Sequence, residues 1–423
     1  MRGPCPRRQI ASWTPAPDRP SPIALLRQTN AGRLPGLLDE RYRRMGTTPF
    51  AFFRGAAAVM AADLARQPNT GLTVQLCGDA HVRNLGAYAA PDGRLVFDLN
   101  DFDETARGPW EWDVKRLATS LVLAGTEAGH SASDGQAAVR TFVSAYRTHL
   151  RAFAQMPVAS LDRYLITRHN REPLVADILA AARLATPERN LKRLTTATRA
   201  GIRFHDRKPT LQHVSAGDAA AVLRGLRDYR DTLHVGHRQV FDAYEPADVA
   251  FKVVGTGSVG TRDFIVLLFG NGGRDPLFLQ VKQALPSCYT PYLPAGPSAV
   301  HQGQRVAEGQ QMIQTVSDPF LGYTRFGGHD YLVRQLADHK ASLDPSALAG
   351  TTLAAYSRLC GEVLAKGHAR TGDGLAIAGY AGTSARLDNV LADFAVAYSE
   401  QVAADFARFV TWLRRRPRVS PSA

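Results

Sequence analysis

The feature that most constrains the fold of this chain is a change in the spacing of its hydrophobic residues. Two segments, 71–105 and 248–284, have the short β-branched and aromatic runs and flanking turns that are typical of strands. Residues 110–230 instead place apolar side chains at helical spacing, and the C-terminal part of the chain is amphipathic helix as well. The sequence therefore predicts an α+β protein in which two strand-rich patches are embedded in helix.

The length of 423 residues is enough for two or three domains or for one two-lobed domain. Two further helical segments are expected near 303–316 and 329–341. We expect four parts in chain order: an irregular N-terminal arm (1–40), a mostly helical lobe with the chemistry-bearing loops (41–235), a strand-rich lobe with a glycine-rich loop and a lysine strand (236–325), and a C-terminal helical segment (326–423).

Composition excludes several classes of protein. Hydrophobic residues make up 45% of the chain, which argues against global disorder and against a coiled coil. No apolar run is long enough for a transmembrane helix and no secretory signal is recognisable, so we expect a cytoplasmic protein without a membrane partner. The four cysteines lie far apart, which favours neither a disulfide framework nor a zinc knuckle.

The net charge of +13 comes from a chain with 44 arginines and only seven lysines. A basic surface suits nucleic acid or phosphorylated small molecules, but no nucleic-acid-binding motif accompanies the charge, so no specific nucleic acid partner is expected. Arg54 and Arg262 could each contact phosphate, although solvation at the surface explains any single arginine in so arginine-rich a chain equally well.

Acidic and amide side chains follow two neighbouring predicted strands. Asp79 and Asn84 lie on the loop after the first strand, and Asp101 lies at the end of the second, which a Pro-Asp-Gly turn at 91–93 can fold back beside that loop. Oxygen ligands at converging strand ends suit Mg²⁺, and a carboxylate left off the metal can accept a hydroxyl proton. Each residue taken singly also fits an ordinary turn or cap. Alternation along the strand would place Asp101 and Asp103 on one face and Asp98 on the other.

The motif Gly-Asp-Ala-His-Val-Arg-Asn at 78–84, followed by Asn-Asp-Phe-Asp-Glu at 100–104, resembles the aminoglycoside phosphotransferase and choline kinase branch of the protein-kinase-like superfamily. The resemblance extends to Asp113 and the helix that follows it. It implies that Asp79 is the catalytic base and that Asn84 and Asp101 are magnesium ligands. Cys77 departs from the pattern, because that branch usually has histidine there.

A second motif, G-x-G-x-x-G at 255–260, is weak evidence by itself. In a dinucleotide-binding fold these glycines would open a helix, whereas here a β-branched and aromatic segment follows them. A glycine loop between two strands matches the kinase flap over the phosphates of ATP. The candidate nucleotide-contacting residues of this loop are Gly255, Gly257, Ser258 and Gly260.

The next predicted strand ends in Lys282, one of the seven lysines. It resembles the kinase strand whose lysine meets the α- and β-phosphates, and Glu308 on the following helix would be its carboxylate partner. An edge-strand charge for Lys282 and an ordinary exposed position for Glu308 are the alternatives.

The order of these motifs is the reverse of that in kinases, because the glycine loop and lysine follow the acidic loop. The resemblance then implies a two-lobed kinase-like fold with circularly permuted motif order and a helix-rich larger lobe. The complete pattern, including Arg54-Gly55 and Arg334 to Lys340, also resembles a bacterial domain of unknown function, family 2252, which brings no known substrate.

These observations predict an ATP- and Mg²⁺-dependent phosphotransferase that acts on a hydroxyl of a small-molecule acceptor. Transfer of the nucleotidyl group by the same parts, and a pseudokinase that binds nucleotide without chemistry, remain open at this point. The sequence indicates neither the acceptor nor the oligomeric state.

Overall fold

The computed structural model describes residues 5–167, 173–199, 201–253, 255–271, 275–294, 301–336 and 341–416. These residues form a mixture of helices and strands, so the predicted α+β class is confirmed. Within the described ranges, no helix is both long enough and apolar enough to cross a membrane.

The helices occur mostly in two blocks, one before and one after the main sheet. Their bounds are α1 (Arg7–Ala11), α2 (Pro22–Gln28), α3 (Leu38–Met45), α4 (Pro49–Gly55), α5 (Ala57–Leu64), α6 (Glu111–Glu127), α7 (Ala132–Gln155), α8 (Val158–Asp162), α9 (Pro173–Arg183), α10 (Pro187–Leu194), α11 (Ala216–Arg230), α12 (Val235–Asp242), α13 (Gln302–Ile313), α14 (Thr352–Thr371), α15 (Gly374–Ala381) and α16 (Arg386–Arg415).

The strands belong to one large sheet and several small ones. Their bounds are β1 (Thr73–Leu76), β2 (Leu85–Ala89), β3 (Leu95–Leu99), β4 (Ala106–Pro109), β5 (Thr195–Thr198), β6 (Gly201–Phe204), β7 (Leu211–His213), β8 (Glu245–Lys252), β9 (Asp263–Phe269), β10 (Pro276–Gln283), β11 (Gly322–Phe326), β12 (His329–Gln335) and β13 (Ala341–Ser342). The large sheet is antiparallel, with the strand order β11-β12-β10-β9-β8-β7.

The predicted glycine-loop hairpin is present, but the strand predicted before Asp79, β1, pairs with β4 and not with β3. The Pro-Asp-Gly turn instead joins β3 to β2, a strand that was not predicted. β2 pairs with β3 across the Pro-Asp-Gly turn, where Gly93 has a φ of +79° that a side chain would disfavour. β8 pairs with β9 on either side of the glycine-rich loop, and β10 follows as the next antiparallel strand. Turn residues and β-branched and aromatic content were therefore sufficient to predict both turns and the strands β3, β8, β9 and β10, but not β2.

The main core lies among the long helices. Leu117 of α6, Phe142 of α7, Val363 of α14 and Phe394 of α16 are all buried in it, together with the strand residue Leu76. The six-stranded sheet has a separate core on each face, one against α11 and the other near β6. Because both faces are covered, its central strands are hydrophobic almost throughout.

Two expectations about local structure were wrong. Residues 329–335 form strand β12 and not a helix, since Tyr331 and Val333 pair with β10 in the sheet; the end of that expected helix, 337–340, lies outside the described residues. The segment 1–40 is not irregular throughout, because it contains α1 and α2 and the beginning of α3. Buried Ile10 and Leu26 pack these helices onto the main core, which a reading of Pro and Arg content misses.

The large sheet takes its strands from residues 211 to 335, so it extends beyond the interval 236–325 at both ends. Its strand β7 follows the helical block, and β12 precedes the C-terminal helices. The two acidic loops, residues 77–84 and 100–104, lie among strands β1–β4, between α5 and α6 in the chain. These strands belong to two of the small sheets, one of which also includes β13.

Candidate active site

One cavity brings together residues from both predicted motifs. It encloses about 900 Å³, including the part open to solvent. Six of the nine predicted site residues line it: Asp79, Asn84, Asp101, Gly255, Gly257 and Ser258. The acidic loops and the glycine loop thus meet in space although more than 150 residues separate them in the chain.

The loop that carries Asp79 is held by a buried carboxylate at the start of α6. Asp113 accepts hydrogen bonds from the backbone N–H groups of Cys77 and Gly78, at 2.7 and 3.0 Å. Gly78 has a φ of +88°, and a Cβ atom there would lie 2.1 Å from the carbonyl oxygen of Glu104. Only glycine fits this close approach between the two acidic loops.

Asp79 lies against a fully buried guanidinium. Its Oδ1 atom accepts a hydrogen bond of 2.6 Å from Nε of Arg116, which also donates to the carbonyl oxygen of Phe53 at 3.0 Å. Burial raises the pKa of Asp79 to about 6, although the charge and hydrogen bond of Arg116 act in the opposite direction. The carboxylate is therefore ionised at pH 7 and able to accept a proton.

His81 and Asn84 lie beside this carboxylate. Burial, together with the charges of Arg54 and Arg116, lowers the pKa of His81 well below its usual value, so the ring is neutral at pH 7. Its Nε2 atom lies 3.8 Å from Oδ2 of Asp79. The Nδ2 group of Asn84 donates to the backbone oxygen of Asp79 at 2.8 Å, which fixes the amide and identifies Oδ1 as the atom available for a cation.

Lys282 contacts the second acidic loop, residues 100–104. It is 2% exposed, and its ammonium group contacts the carboxylate of Asp103 directly and lies 4.0 Å from Oδ1 of Asp101. Burial acts to lower the pKa of Lys282, but the two carboxylates outweigh it and the pKa is raised. Lys282 is therefore a charged partner of the acidic loop, beneath the cavity wall.

The expected pairing of Lys282 with Glu308 was wrong. Glu308 is exposed on α13, where it accepts a hydrogen bond from Gln304 at 2.7 Å. The face of α13 that meets the acidic loop carries Arg305, which donates to the carbonyl oxygens of Asp103 and Thr105. The helix thus supports the loop through backbone contacts and leaves Asp103 as the partner of the lysine.

The expected arrangement of the three aspartates is present, but the cause differs. Asp101 and Asp103 both approach Lys282, whereas Asp98 contacts Lys366 of α14 in a separate buried ion pair. Because β3 ends at Leu99, the loop conformation and not strand alternation places Asp101 and Asp103 together.

The glycine loop lies over this acidic loop. Oγ of Ser258 donates to Asp103 at 3.4 Å, and Gly255 has a φ of +66°. Gly260 does not line the cavity; its carbonyl oxygen accepts a hydrogen bond of 2.7 Å from the backbone of Leu34. Gly260 therefore ties the loop to the N-terminal segment instead of facing a ligand.

The side chains in the cavity fit a hard divalent cation only with help from other oxygens. Asn84 and Asp101 both line it and offer an amide and a carboxylate oxygen. Among the described residues there is no group of three or more His, Cys, Asp or Glu side chains that could hold a metal by themselves. One or two protein ligands are what Mg²⁺ takes when waters and phosphates complete its shell.

Sequence reasoning missed several residues that line this cavity or hold its side chains. Arg116, which holds Asp79, lies three positions after Asp113 and so occupies nearly the same face of α6; the helical period could have supplied this signal. Arg33 and Arg41 line the cavity itself, although they precede the first motif by tens of residues. No local pattern distinguishes these two from the other arginines. The other named phosphate candidate, Arg262, lines a separate pocket on the large sheet.

Comparison with known proteins gives one match. The profile of a family described as an uncharacterized protein conserved in bacteria (DUF2252) matches residues 33–412. The chain belongs to this family. No curated protein and no solved structure matches the chain. Both acidic loops, the glycine loop and the residues that line the cavity, except Thr29, lie inside the region that matches DUF2252.

Proposed function

We propose that this DUF2252 protein is an ATP- and Mg²⁺-dependent phosphotransferase that acts on a hydroxyl group of a small-molecule acceptor. The observation that carries the proposal is the convergence of Asp79, Asn84 and Asp101 with the glycine loop in one cavity. These are the parts that phosphoryl transfer requires: a proton acceptor, oxygen ligands for a metal and backbone amides near phosphate.

Each residue has a distinct role in this proposal. Asp79 orients the acceptor hydroxyl and accepts its proton, while Arg116 holds the carboxylate in position. Asn84 and Asp101 hold the metal, and the backbone at Gly255 and Gly257 approaches the phosphates. Bound Mg²⁺ and ATP supply charge neutralisation and the phosphoryl group. Lys282 keeps the acidic loop in place through Asp103.

The proposal includes a kinase-like arrangement with permuted motif order. The antiparallel hairpin β8–β9 with its glycine loop, followed by a strand that ends in a buried lysine, supports it. So does the position of this hairpin against loops that come much earlier in the chain. An active site depends on spatial convergence and not on chain order, so the reversal is no obstacle.

The test is to incubate the purified protein with ATP, Mg²⁺ and a metabolite extract and to resolve the nucleotide products. We expect ADP from the wild type and none from Asp101→Ala, while Asp92→Ala, at the exposed β2–β3 turn, keeps full activity. Pyrophosphate in place of ADP would indicate nucleotidyl transfer. Unchanged ATP with measurable binding would indicate a nucleotide sensor, and no binding of ATP would refute the kinase analogy.

A further inference from the structure

Three arginines line the cavity on the side formed by the N-terminal part of the chain. Arg33 follows α2, Arg41 lies in α3, and Arg54 lies in the last turn of α4. They share the cavity with the acidic loop and the glycine loop. None of them forms an ion pair with a carboxylate of the residues that the structure describes.

The protein partners of these guanidinium groups are neutral. Arg33 donates to the carbonyl oxygens of Thr29 and Val259, at 2.8 and 2.7 Å. Arg41 donates to Oδ1 of Asn30 at 2.7 Å and to the Thr29 hydroxyl at 3.0 Å, although its side chain is 1% exposed. Carboxylates such as Glu104 act on these two charges only from beyond ion-pair distance. A buried guanidinium whose hydrogen-bond acceptors are all neutral therefore has no direct counter-charge.

Arg54 has even fewer contacts. Its side chain makes no hydrogen bond with any residue in the described part of the chain, and its Nε atom is buried. Its guanidinium lies 6.0 Å from the ring centroid of Phe50, which provides packing but no acceptor. Arginine has five donors in a planar fork, so the cavity offers a ligand a set of donors that the protein leaves unused.

The electrostatic surroundings agree with this geometry. Burial, together with the charge of Arg33, lowers the pKa of Arg41 to about 9. Burial and the charge of Arg83 lower the pKa of Arg54 to about 10. Both groups are still protonated at pH 7, but the shifts show that their charge is held at a cost that an anion would remove.

We propose that Arg33, Arg41 and Arg54 form a subsite for a phosphate-type anion in the cavity that they share with the acidic loops and the glycine loop. Guanidinium groups bind phosphate oxygens in pairs, and three of them suit a polyphosphate or a phosphorylated small molecule. Lys282 is already neutralised by Asp103, so the arginines and not the lysine hold this anion.

This inference deepens the proposed function, because it assigns the anion-binding part of the same cavity. It does not require phosphoryl transfer to occur. Binding of an inorganic anion therefore tests the arginines separately from catalysis. If the anion binds at the arginines but no turnover is found, the subsite is supported and the phosphotransferase is not. If turnover is found but no anion binds at the arginines, the phosphotransferase is supported and the subsite is refuted.

The experiment is calorimetric titration of the full chain with inorganic tripolyphosphate in buffer that contains EDTA, so that no metal contributes. We expect binding by the wild type and an affinity at least about 10-fold lower for Arg54→Gln, the loss expected for one charge-assisted contact. Arg33→Gln should weaken binding as well. Arg140→Gln is the matched control, because Arg140 is exposed on α7 and does not line the cavity.

Competition with ATP identifies the source of the anion. If the anion is the polyphosphate of the nucleotide, ATP displaces tripolyphosphate and loses affinity in Arg54→Gln to the same extent. If it is the phosphate of an acceptor, ATP and tripolyphosphate bind together and ATP affinity is unchanged in the variant. Either pattern supports the subsite.

Three results would overturn it. One is the absence of tripolyphosphate binding by the folded wild type, and another is an equal loss in Arg54→Gln and Arg140→Gln. The third is binding that survives both Arg54→Gln and Arg33→Gln but disappears in Lys282→Met. Circular dichroism of each variant confirms that the comparison is between folded proteins.

Discussion

The two sides of the cavity differ in whether their charged side chains are paired within the protein. On the acidic side, Asp79 is paired with Arg116 and Asp103 with Lys282, and Asp98 behind them is paired with Lys366. On the arginine side, formed by Arg33, Arg41 and Arg54, the partners are neutral or absent.

This difference separates charges that build the protein from charges that are available to a ligand. A buried ion pair is complete within the fold, and removing one member leaves the other without compensation. A buried cation with neutral partners is incomplete, and a bound anion completes it. The acidic side is therefore a prearranged framework, whereas we infer that the arginine side gains its counter-charge from substrate.

The largest expected effect is on turnover, at the acidic residue that has a chemical role as well as a partner. Asp79→Asn should lower the rate of ADP formation by roughly 10²–10⁴-fold, the usual contribution of a general base, while ATP affinity changes little. The amide keeps the shape and one acceptor oxygen for Arg116. Rate and affinity are measured on the same preparation, with Asp92→Asn as the control. Equal rates in Asp79→Asn and wild type would remove Asp79 from the mechanism.

The next effect is on stability, at the buried pair behind the acidic loop. Lys366→Met should lower the free energy of unfolding by about 3–5 kcal/mol, because Asp98 keeps its charge at a site that is 3% exposed. Urea denaturation measures it.

The β2–β3 turn offers a matched control for that measurement. Arg94 and Asp92 form an ion pair there with side chains 60% and 50% exposed. Arg94→Met should change the free energy of unfolding far less than Lys366→Met does, because solvent screens an exposed pair. Losses of similar size in the two variants would contradict the distinction between framework charges and surface charges.

A smaller effect is expected from the protonation of Asp79, which should make both the rate and the stability depend on pH. Since its pKa is raised from 3.8 to about 6 in the folded state, the rate should fall about tenfold per pH unit below 6 and be level above it. The same shift means that the folded state binds the proton more tightly than the unfolded state does. The contribution of Asp79 to stability is thus greatest below pH 4 and is lost as the pH rises to about 6.

Asp79→Asn provides the check on this pH dependence. The free energy of unfolding of the wild type and of Asp79→Asn is measured from pH 4 to 7. As the pH rises, the wild type should lose stability relative to Asp79→Asn. If the stability of the wild type relative to Asp79→Asn stays constant or increases with pH, burial does not set the pKa of this carboxyl group.

The smallest effect is expected on the arginine side. Arg54→Gln should lower the free energy of unfolding much less than Lys366→Met does, because no ion pair or side-chain hydrogen bond of the folded protein is lost. Thermal or urea unfolding without anion measures it. A loss of several kcal/mol would mean that Arg54 belongs to the framework, like Lys366, and the contrast between the two sides would disappear.

Much of the acidic side could be predicted because its signals are local. Asp79 and Asn84 follow β1, and Asp101 follows β3 after a recognisable turn, so their approach depends on fewer than 30 residues of chain. The glycine hairpin was predictable for the same reason. The β-branched and aromatic residues of β8 and β9 flank it directly.

The partner of Lys282 was not predictable in this way. A helix after the lysine strand suggested Glu308, but the packing of α13 decides which of its side chains faces the acidic loop, and that position is occupied by Arg305. The segment 329–335 was assigned to the wrong element because pairing with β10 overrides its local pattern.

The sequence by itself determined the α+β class, the glycine-loop hairpin, the Pro-Asp-Gly turn and the set of oxygen-bearing side chains near that turn, because these depend on spacing between neighbouring residues. Only the tertiary structure decided that Ser258 and Lys282 meet Asp103, across separations of 155 and 179 residues. It also decided which three of the 44 arginines face the cavity. The physical reason is that ion pairs and cavities form between packed segments, and their partners are not encoded by any local period.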